Sequence, residues 1–258
     1  MTQQVEVNKQ SVARARWRML AILSLDICVS YIPYYTFVPV LRQSMQVYNV
    51  DEPALNTLCI MYALVYVPGA FVTAPVVGTI GCRWTYVLAM GFISLGCAIR
   101  CGSVFTASFI SMPLRPIAGA HTTPQASFHW LLLGQTLCAI GQPFLVNTTS
   151  EMGAEWFPPS ERPTAAMLSN LMNFIGGSVS FIIPPLVVED HSELLEVTEM
   201  QMQHMLQLEF WIVFVSFLIT LFLYQPAPVV SLCAPRSPVS LHTEVRRLFR
   251  VRDFWLVN

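Results

Sequence analysis

Six stretches of this chain are apolar and about as long as a lipid bilayer's hydrocarbon layer is thick. They run from Trp17 to Leu41, Leu55 to Val77, Trp84 to Ala107, His129 to Thr149, Thr164 to Val188 and Phe210 to Tyr224. A helix rises about 1.5 Å per residue, so about 20 residues cross a layer roughly 30 Å thick. None of the six alternates with period two, as an outer-membrane barrel strand does. Composition agrees: 54% of the 258 residues are apolar and 11% charged, whereas a soluble domain carries about 25% charge. That shortage excludes a cytosolic enzyme, a nucleic-acid binder and a disordered tail. The sequence reads as an all-α polytopic membrane protein whose first partner is the lipid bilayer, with no nucleic acid.

Basic residues orient it. With the N-terminus in the cytoplasm, that side holds Lys9, Arg14, Arg16, Arg18, Arg83, Arg162, Arg236, Arg246, Arg247, Arg250 and Arg252. The other side holds Arg42 and Arg115, and Arg100 lies within the third block. This is the positive-inside asymmetry of a membrane protein. The loop after the fifth block is acidic, with Glu189, Asp190, Glu193, Glu196 and Glu199. The chain divides into a cytoplasmic segment 1–16, six spans over 17–225, a basic Pro-rich loop 226–252, and an apolar run 253–258 that opens a seventh helix. It reads as the first half of a twelve-helix protein, with a dimerising six-helix protein as the alternative.

Polar residues inside the spans mark candidate chemistry. Asp26 lies about nine residues, roughly 13 Å, inside the first block. An ionisable group at that depth faces a cavity or a partner, as a coupling carboxylate or as a structural Asp bonded to Ser or Tyr. Arg100 either pairs with an anion or acidic side chain, or snorkels to the interface. Tyr31, Tyr34 and Tyr35 share one helical face by their spacing, and Tyr62 and Tyr66 share another. Such rings either bind a quaternary ammonium by cation–π attraction or pack as core. Gln142, Asn147, Asn170 and Asn173 add neutral amides that line a route or join helices. The seven cysteines show no metal spacing and read as small packing residues. No phosphate-binding loop, HExxH or nucleophile elbow is present, so neither an enzyme nor a cofactor is expected.

The segments `RWRMLAILSL`, `IMYALVYVP`, `SLGCAIRCGS`, `GQTLCAIGQPF`, `EWFPPSERPTAA` and `NFIGGSVSFIIPP` resemble, in order, those of the FLVCR-type transporters. These feline leukaemia virus subgroup C receptor-related proteins belong to the major facilitator superfamily and are associated with haem and with choline or ethanolamine. The resemblance implies the N-terminal six-helix half of such a protein, built of two inverted three-helix repeats, with substrate held between halves at the midplane. It also implies a missing C-terminal half as partner. It places Tyr34 where the family has Trp and keeps Gln142, the two positions that contact a choline headgroup. Ser30 stands for Asn and Arg100 for Lys; Tyr62 and Asn173 join them as candidate substrate-lining residues. Asp26 replaces an uncharged residue, which leaves Asp26 and Arg100 as candidate coupling charges. The loop `VVGTIGCRW` lacks the superfamily's acidic residue, and Glu151 stands where the family has Arg, so Arg83 and Glu151 are candidates for a cytoplasmic gate.

The resulting expectation is an alternating-access transporter in the plasma membrane. Its substrate is a small organic cation such as choline or ethanolamine, with haem as the alternative. A non-transporting receptor or regulatory half-protein is the reading from another class.

Overall fold

The computed structural model describes residues 2–102, 124–189 and 195–226, with side chains from Ala15 and Phe128 onward in the first two stretches. Arg115, Asp190, Glu193, the basic loop beyond residue 226 and the apolar run 253–258 lie outside the described residues, as do the side chains of Lys9 and Arg14. The described chain is helical: α1 (Thr2–Ser30), α2 (Ile32–Tyr35), α3 (Leu41–Tyr48), α4 (Glu52–Cys101), α5 (Pro124–Trp156), α6 (Arg162–Val187) and α7 (Leu195–Leu223). Among these, α4, α6 and α7 are each long and apolar enough to cross a membrane.

The first apolar block is not one helix. α1 stops at Ser30, a turn at Tyr31 leads into the single turn of α2, and Pro39 lies in an irregular link to α3. Proline explains the breaks: Pro33 and Pro39 each remove a donor and crowd the preceding turn. α3, which the hydropathy pattern did not indicate, ends on Asn49 in the left-handed conformation, its N–H bonded to the Met45 carbonyl. Asn tolerates that conformation better than most residues.

Blocks two and three merge into α4, yet α4 is not one rod. Gly81 sits at φ 79°, ψ 167°. Before it, Leu55 and Leu58 share a core with Leu131, and Tyr66 bonds Asn147, so this segment runs along α5 in the same direction. After it, Ala89 faces Gly141 and Gly96 faces Gly134, so the chain now runs antiparallel to α5. Gly81 is therefore the reversal between two spans. The close approach beyond it needs glycine: a Cβ on Gly96 or Gly141 would lie 2.5–2.6 Å from a backbone oxygen of the facing helix. Small residues let membrane helices meet this way.

The segment `EWFPPSERPTAA` is a helix-to-helix connector. α5 ends at Trp156, Pro158 and Pro159 stop it, and Arg162 donates to the carbonyls of Ala154 and Phe157, two otherwise orphaned acceptors. Glu161 pairs with Arg16 of α1 at 3.0 Å, and Arg16 also lies over the rings of Trp17 and Phe157. Nearby, Arg83 reaches the Leu221 carbonyl in the last turn of α7 at 3.4 Å. These contacts define one end of the bundle, called here the Arg16 end. Tyr48, Leu55, Leu131, Val188 and Met202 form a second core at the other.

The sixth block is longer than hydropathy indicates. α7 begins at Leu195, so Glu196, Glu199 and Glu209 lie on the helix and not before it. A charge-averse reading stops at Phe210 because Glu209 precedes it, but that charge is cancelled inside the protein, as described below.

Gly81 has φ +79° with nothing within 4 Å of an added Cβ. Its conformation belongs almost solely to glycine and costs other residues about 1–3 kcal/mol. Gly81→Ala is expected to lower the thermal unfolding midpoint in detergent. Gly78→Ala, equally open but helical, is expected to leave the midpoint unchanged or slightly raised.

Candidate substrate-binding site

The site is organised around the break in the first span. Three long helices grip that irregular segment. From α5, the Gln135 side chain donates to the Pro33 carbonyl at 3.0 Å. From α7, Glu209 accepts a 2.5 Å bond from the Thr36 hydroxyl. From α4, the Arg100 guanidinium lies over the Phe37 ring, 5.2 Å from its centre. Arg100 and Glu209 complete the clamp by pairing at 3.2 Å, each side chain only 1% exposed. Arg100 thus pairs with an acidic side chain and does not snorkel to the interface.

Held between these grips, Tyr34 and Tyr35 point their rings into a column. Tyr34 is stacked between Tyr35 and Tyr62, with both ring-to-ring distances 4.2 Å. Tyr35 continues the column to Phe181 of α6 at 5.4 Å, and Tyr31 flanks it, 5.9 Å from Tyr34. Rings from the turn after α1, from α2, from α4 and from α6 therefore meet at one place. An aromatic pair of this kind contributes about 0.5–1.5 kcal/mol beyond the area it buries. Both faces of Tyr34 are covered in this conformation.

Unsatisfied polar atoms gather beside the column. Gln142 of α5 is buried next to Tyr31, with neither end of its amide in a well-formed hydrogen bond. The Tyr62 hydroxyl, the Asn147 amide nitrogen and the Asn173 amide oxygen are also buried without a partner. Buried polar groups are nearly always paired in folded proteins, so a concentration of open ones marks a place for water or ligand. Asn147 does accept from the Tyr66 hydroxyl at 2.9 Å. Asn173 stands one turn before Gly177, where an added Cβ would lie 3.9 Å from the Tyr35 ring. Ser30 is turned away in bonding terms, donating to the Ile27 carbonyl at 2.7 Å. Asn170 is exposed.

Three expected residues lie apart from the column. Asp26 is fully buried between α1 and α7, accepting from Ser216 and Thr220. Arg83 and Glu151 are at the Arg16 end; Arg83 is spent on the Leu221 carbonyl and lies over Trp84, and Glu151 is within electrostatic reach of Cys82.

The sequence pattern of the Major Facilitator Superfamily matches residues 23–257. The chain belongs to the Major Facilitator Superfamily. This is a family of membrane transporters, and its helical membrane architecture is the one described above. Among relatives of this superfamily member, Solute carrier family 49 member A3 of Danio rerio is 28% identical over 266 residues, covering 96% of this chain and 48% of the relative. The Choline/ethanolamine transporter FLVCR1 of Mus musculus is 28% identical, covering 70% of this chain and 29% of the relative. The Choline/ethanolamine transporter FLVCR2 of Homo sapiens is 25% identical, covering 71% and 32%. The chain spans about half the length, or less, of these relatives. The resemblance to FLVCR-type transporters read from the short segments therefore extends over most of this chain.

Sequence reasoning missed Glu209, Gln135 and Phe181. Glu209 had a usable signal: a lone Arg in one span needs a lone acid in another, because unpaired charge in hydrocarbon costs several kcal/mol. Gln135 and Phe181 had none.

Removing one partner of a buried ion pair leaves an uncompensated charge, at a cost of about 3–5 kcal/mol. Arg100→Leu and Glu209→Leu are each expected to lower the thermal midpoint of the purified protein strongly. The double substitution is expected to regain much of the loss; additive losses would contradict the pairing.

Proposed function

We propose that this chain supplies one wall of a substrate site for a small organic cation of the choline or ethanolamine type. The protein would carry its substrate by alternating access, with a second six-helix half providing the opposite wall. What carries the reading is the tyrosine column beside the open Gln142 amide. Aromatic faces attract a quaternary ammonium without hydrogen bonds, and a primary or quaternary amine with a hydroxyl also needs one neutral polar group. Gln142 offers both a donor and an acceptor for that hydroxyl. The printed names of the FLVCR1 and FLVCR2 relatives support the same substrate class.

In this reading Tyr34 meets the ammonium and Gln142 orients the hydroxyl, with Tyr62 and Asn173 completing the wall and Ser30, bonded to Ile27, behind it. Because Tyr35 and Tyr62 cover both faces of Tyr34, the cation enters only after one neighbour swings aside. Tyr62 is the candidate, since it stands on a different helix and its hydroxyl is unpaired. We place the N-terminus in the cytoplasm and the protein in the plasma membrane, on the distribution of basic residues. Arg83 and Glu151 then fall at the cytoplasmic end, where contact with the second half would close the inward path.

Radiolabelled choline uptake into cells expressing the full protein tests this. Uptake is expected to saturate. A good desolvated cation–π contact is worth about 2 kcal/mol, so Tyr34→Ala is expected to weaken half-saturation roughly thirtyfold at about 1.4 kcal/mol per tenfold. Tyr34→Phe is expected to keep most of the affinity, and Gln142→Ala to lose it. Absence of saturable uptake, or uptake indifferent to both alanine changes, would sink the choline reading.

A further inference from the structure

Asp26 has surroundings that the substrate column does not explain. Its carboxyl is fully buried in the bundle. Each of its oxygens accepts one hydroxyl bond from α7: Ser216 to Oδ1 at 2.7 Å and Thr220 to Oδ2 at 2.6 Å. Among the described residues no Lys, Arg or His pairs with it; Arg16 pairs with Glu161 and Arg100 with Glu209. A buried carboxylate without a cation is costly, and it is normally avoided unless the group changes protonation.

The two hydroxyls are also unusual within this bundle. Elsewhere, helical hydroxyls bond the carbonyl four residues back, as Thr73, Thr85, Thr136 and Ser169 do. Ser216 and Thr220 instead reach across to α1. Each therefore has a second acceptor to return to, the carbonyl of Ile212 or Ser216, when Asp26 no longer presents two acceptors. A carboxyl flanked by donors that have somewhere else to go can exist in two protonation states without leaving an orphaned group.

A polar file leads from this carboxyl to the Arg16 end. Tyr86 of α4 and Tyr224, just past α7, pack edge to face at 5.1 Å. Both hydroxyls are buried and lack a partner, and both feel the charge of Asp26. The same two tyrosines are within electrostatic reach of Cys82 and Glu155. Cys82 and Glu155 are within electrostatic reach of each other, and so is Glu151. Glu155 is only partly buried, so it meets solvent at that end. Two orphaned phenol groups between a deep carboxyl and a rim carboxyl are the arrangement that a short water chain would satisfy. From α6, residues 163–187 contribute no ionisable side chain; Gly176 meets only the backbone of Cys28.

We propose that Asp26 is a proton-binding site, loaded from the Arg16 end through Glu155, Cys82, Tyr86 and Tyr224. On loading, a proton passes from Glu155 along the file and an O–H bond forms on a carboxyl oxygen of Asp26. Ser216 and Thr220 then turn back to their own helix, which loosens the stitch between α1 and α7. Unloading returns the proton by the same file and restores both bonds. Proton binding would thereby bias the first span against the last. The proposal does not depend on the identity of the substrate.

Infrared difference spectroscopy of the purified protein in liposomes tests it without any substrate. As the pH is stepped down, the wild-type protein is expected to develop a protonated-carboxyl band that is absent from Asp26→Asn. Should Asp26→Asn fail to fold, Asp26→Glu serves, with the band kept but displaced in frequency. After a pH jump, Glu155→Gln is expected to slow the rise of the band at least tenfold while leaving its final height unchanged. A purely structural carboxyl would give a spectrum indifferent to pH. A band that ignores pH, one that survives Asp26→Asn, or a rise as fast in Glu155→Gln as in wild type would each overturn the proposal. Failure of choline uptake with the band intact would instead remove only the substrate assignment.

Discussion

The Arg100–Glu209 pair is the interaction on which the arrangement of this bundle rests. A single charge in hydrocarbon is expensive, and two opposite charges held together with further partners are tolerable. The pair sits where α4 and α7 meet the broken first span, and each member also touches that break: Glu209 at Thr36 and Arg100 at Phe37. With Gln135 on the Pro33 carbonyl, three helices fix a segment that proline has prevented from being regular. Irregular backbone at membrane depth persists only where protein supplies its missing bonds. The clamp supplies one of them at the Pro33 carbonyl and holds the segment by its side chains at Thr36 and Phe37.

What the clamp positions is a pair of tyrosines. Tyr34 and Tyr35 lie between the Pro33 and Thr36 grips, so the ring column is a direct consequence of how the break is held. The column draws rings from three helices and the turn before α2, and a shift of any one changes what the others can face. In the proposed alternating-access reading, that is a sensible place for a site. Asp26 serves a different junction, between α1 and α7, deeper toward the Arg16 end. The first span is thus tied to the last span twice, once through the Thr36 hydroxyl on Glu209 and once through the Asp26 carboxyl with its two hydroxyl partners.

Much of the fold was legible because the bilayer imposes a single length scale. The helical membrane class followed from block lengths, and the tyrosines at 31, 34 and 35 were grouped correctly by helical spacing. The failures share one physical cause. Hydropathy treats each residue alone, so it ended the sixth span at Phe210, though Glu209 is neutralised by a residue more than a hundred positions away. It ran the first span through Pro33 and Pro39 because apolar residues surround them. It also left Arg100 open between pairing and snorkelling, since the choice depends on a partner that spacing does not reveal. Ser30, singled out by family position, is occupied by a local bond to Ile27. Gln142, singled out by the same means, is the buried amide with both ends open.

The central claim is that this wall recognises positive charge through aromatic faces. Calorimetric binding of choline and of its uncharged carbon isostere, 3,3-dimethyl-1-butanol, to the purified full protein tests it most directly. The two have nearly the same shape and the same hydroxyl, and differ in charge. Choline is predicted to bind at least about tenfold more tightly, which corresponds to about 1.4 kcal/mol. Equal binding of the neutral isostere would contradict the account, because shape and a hydroxyl contact would then suffice without the cation.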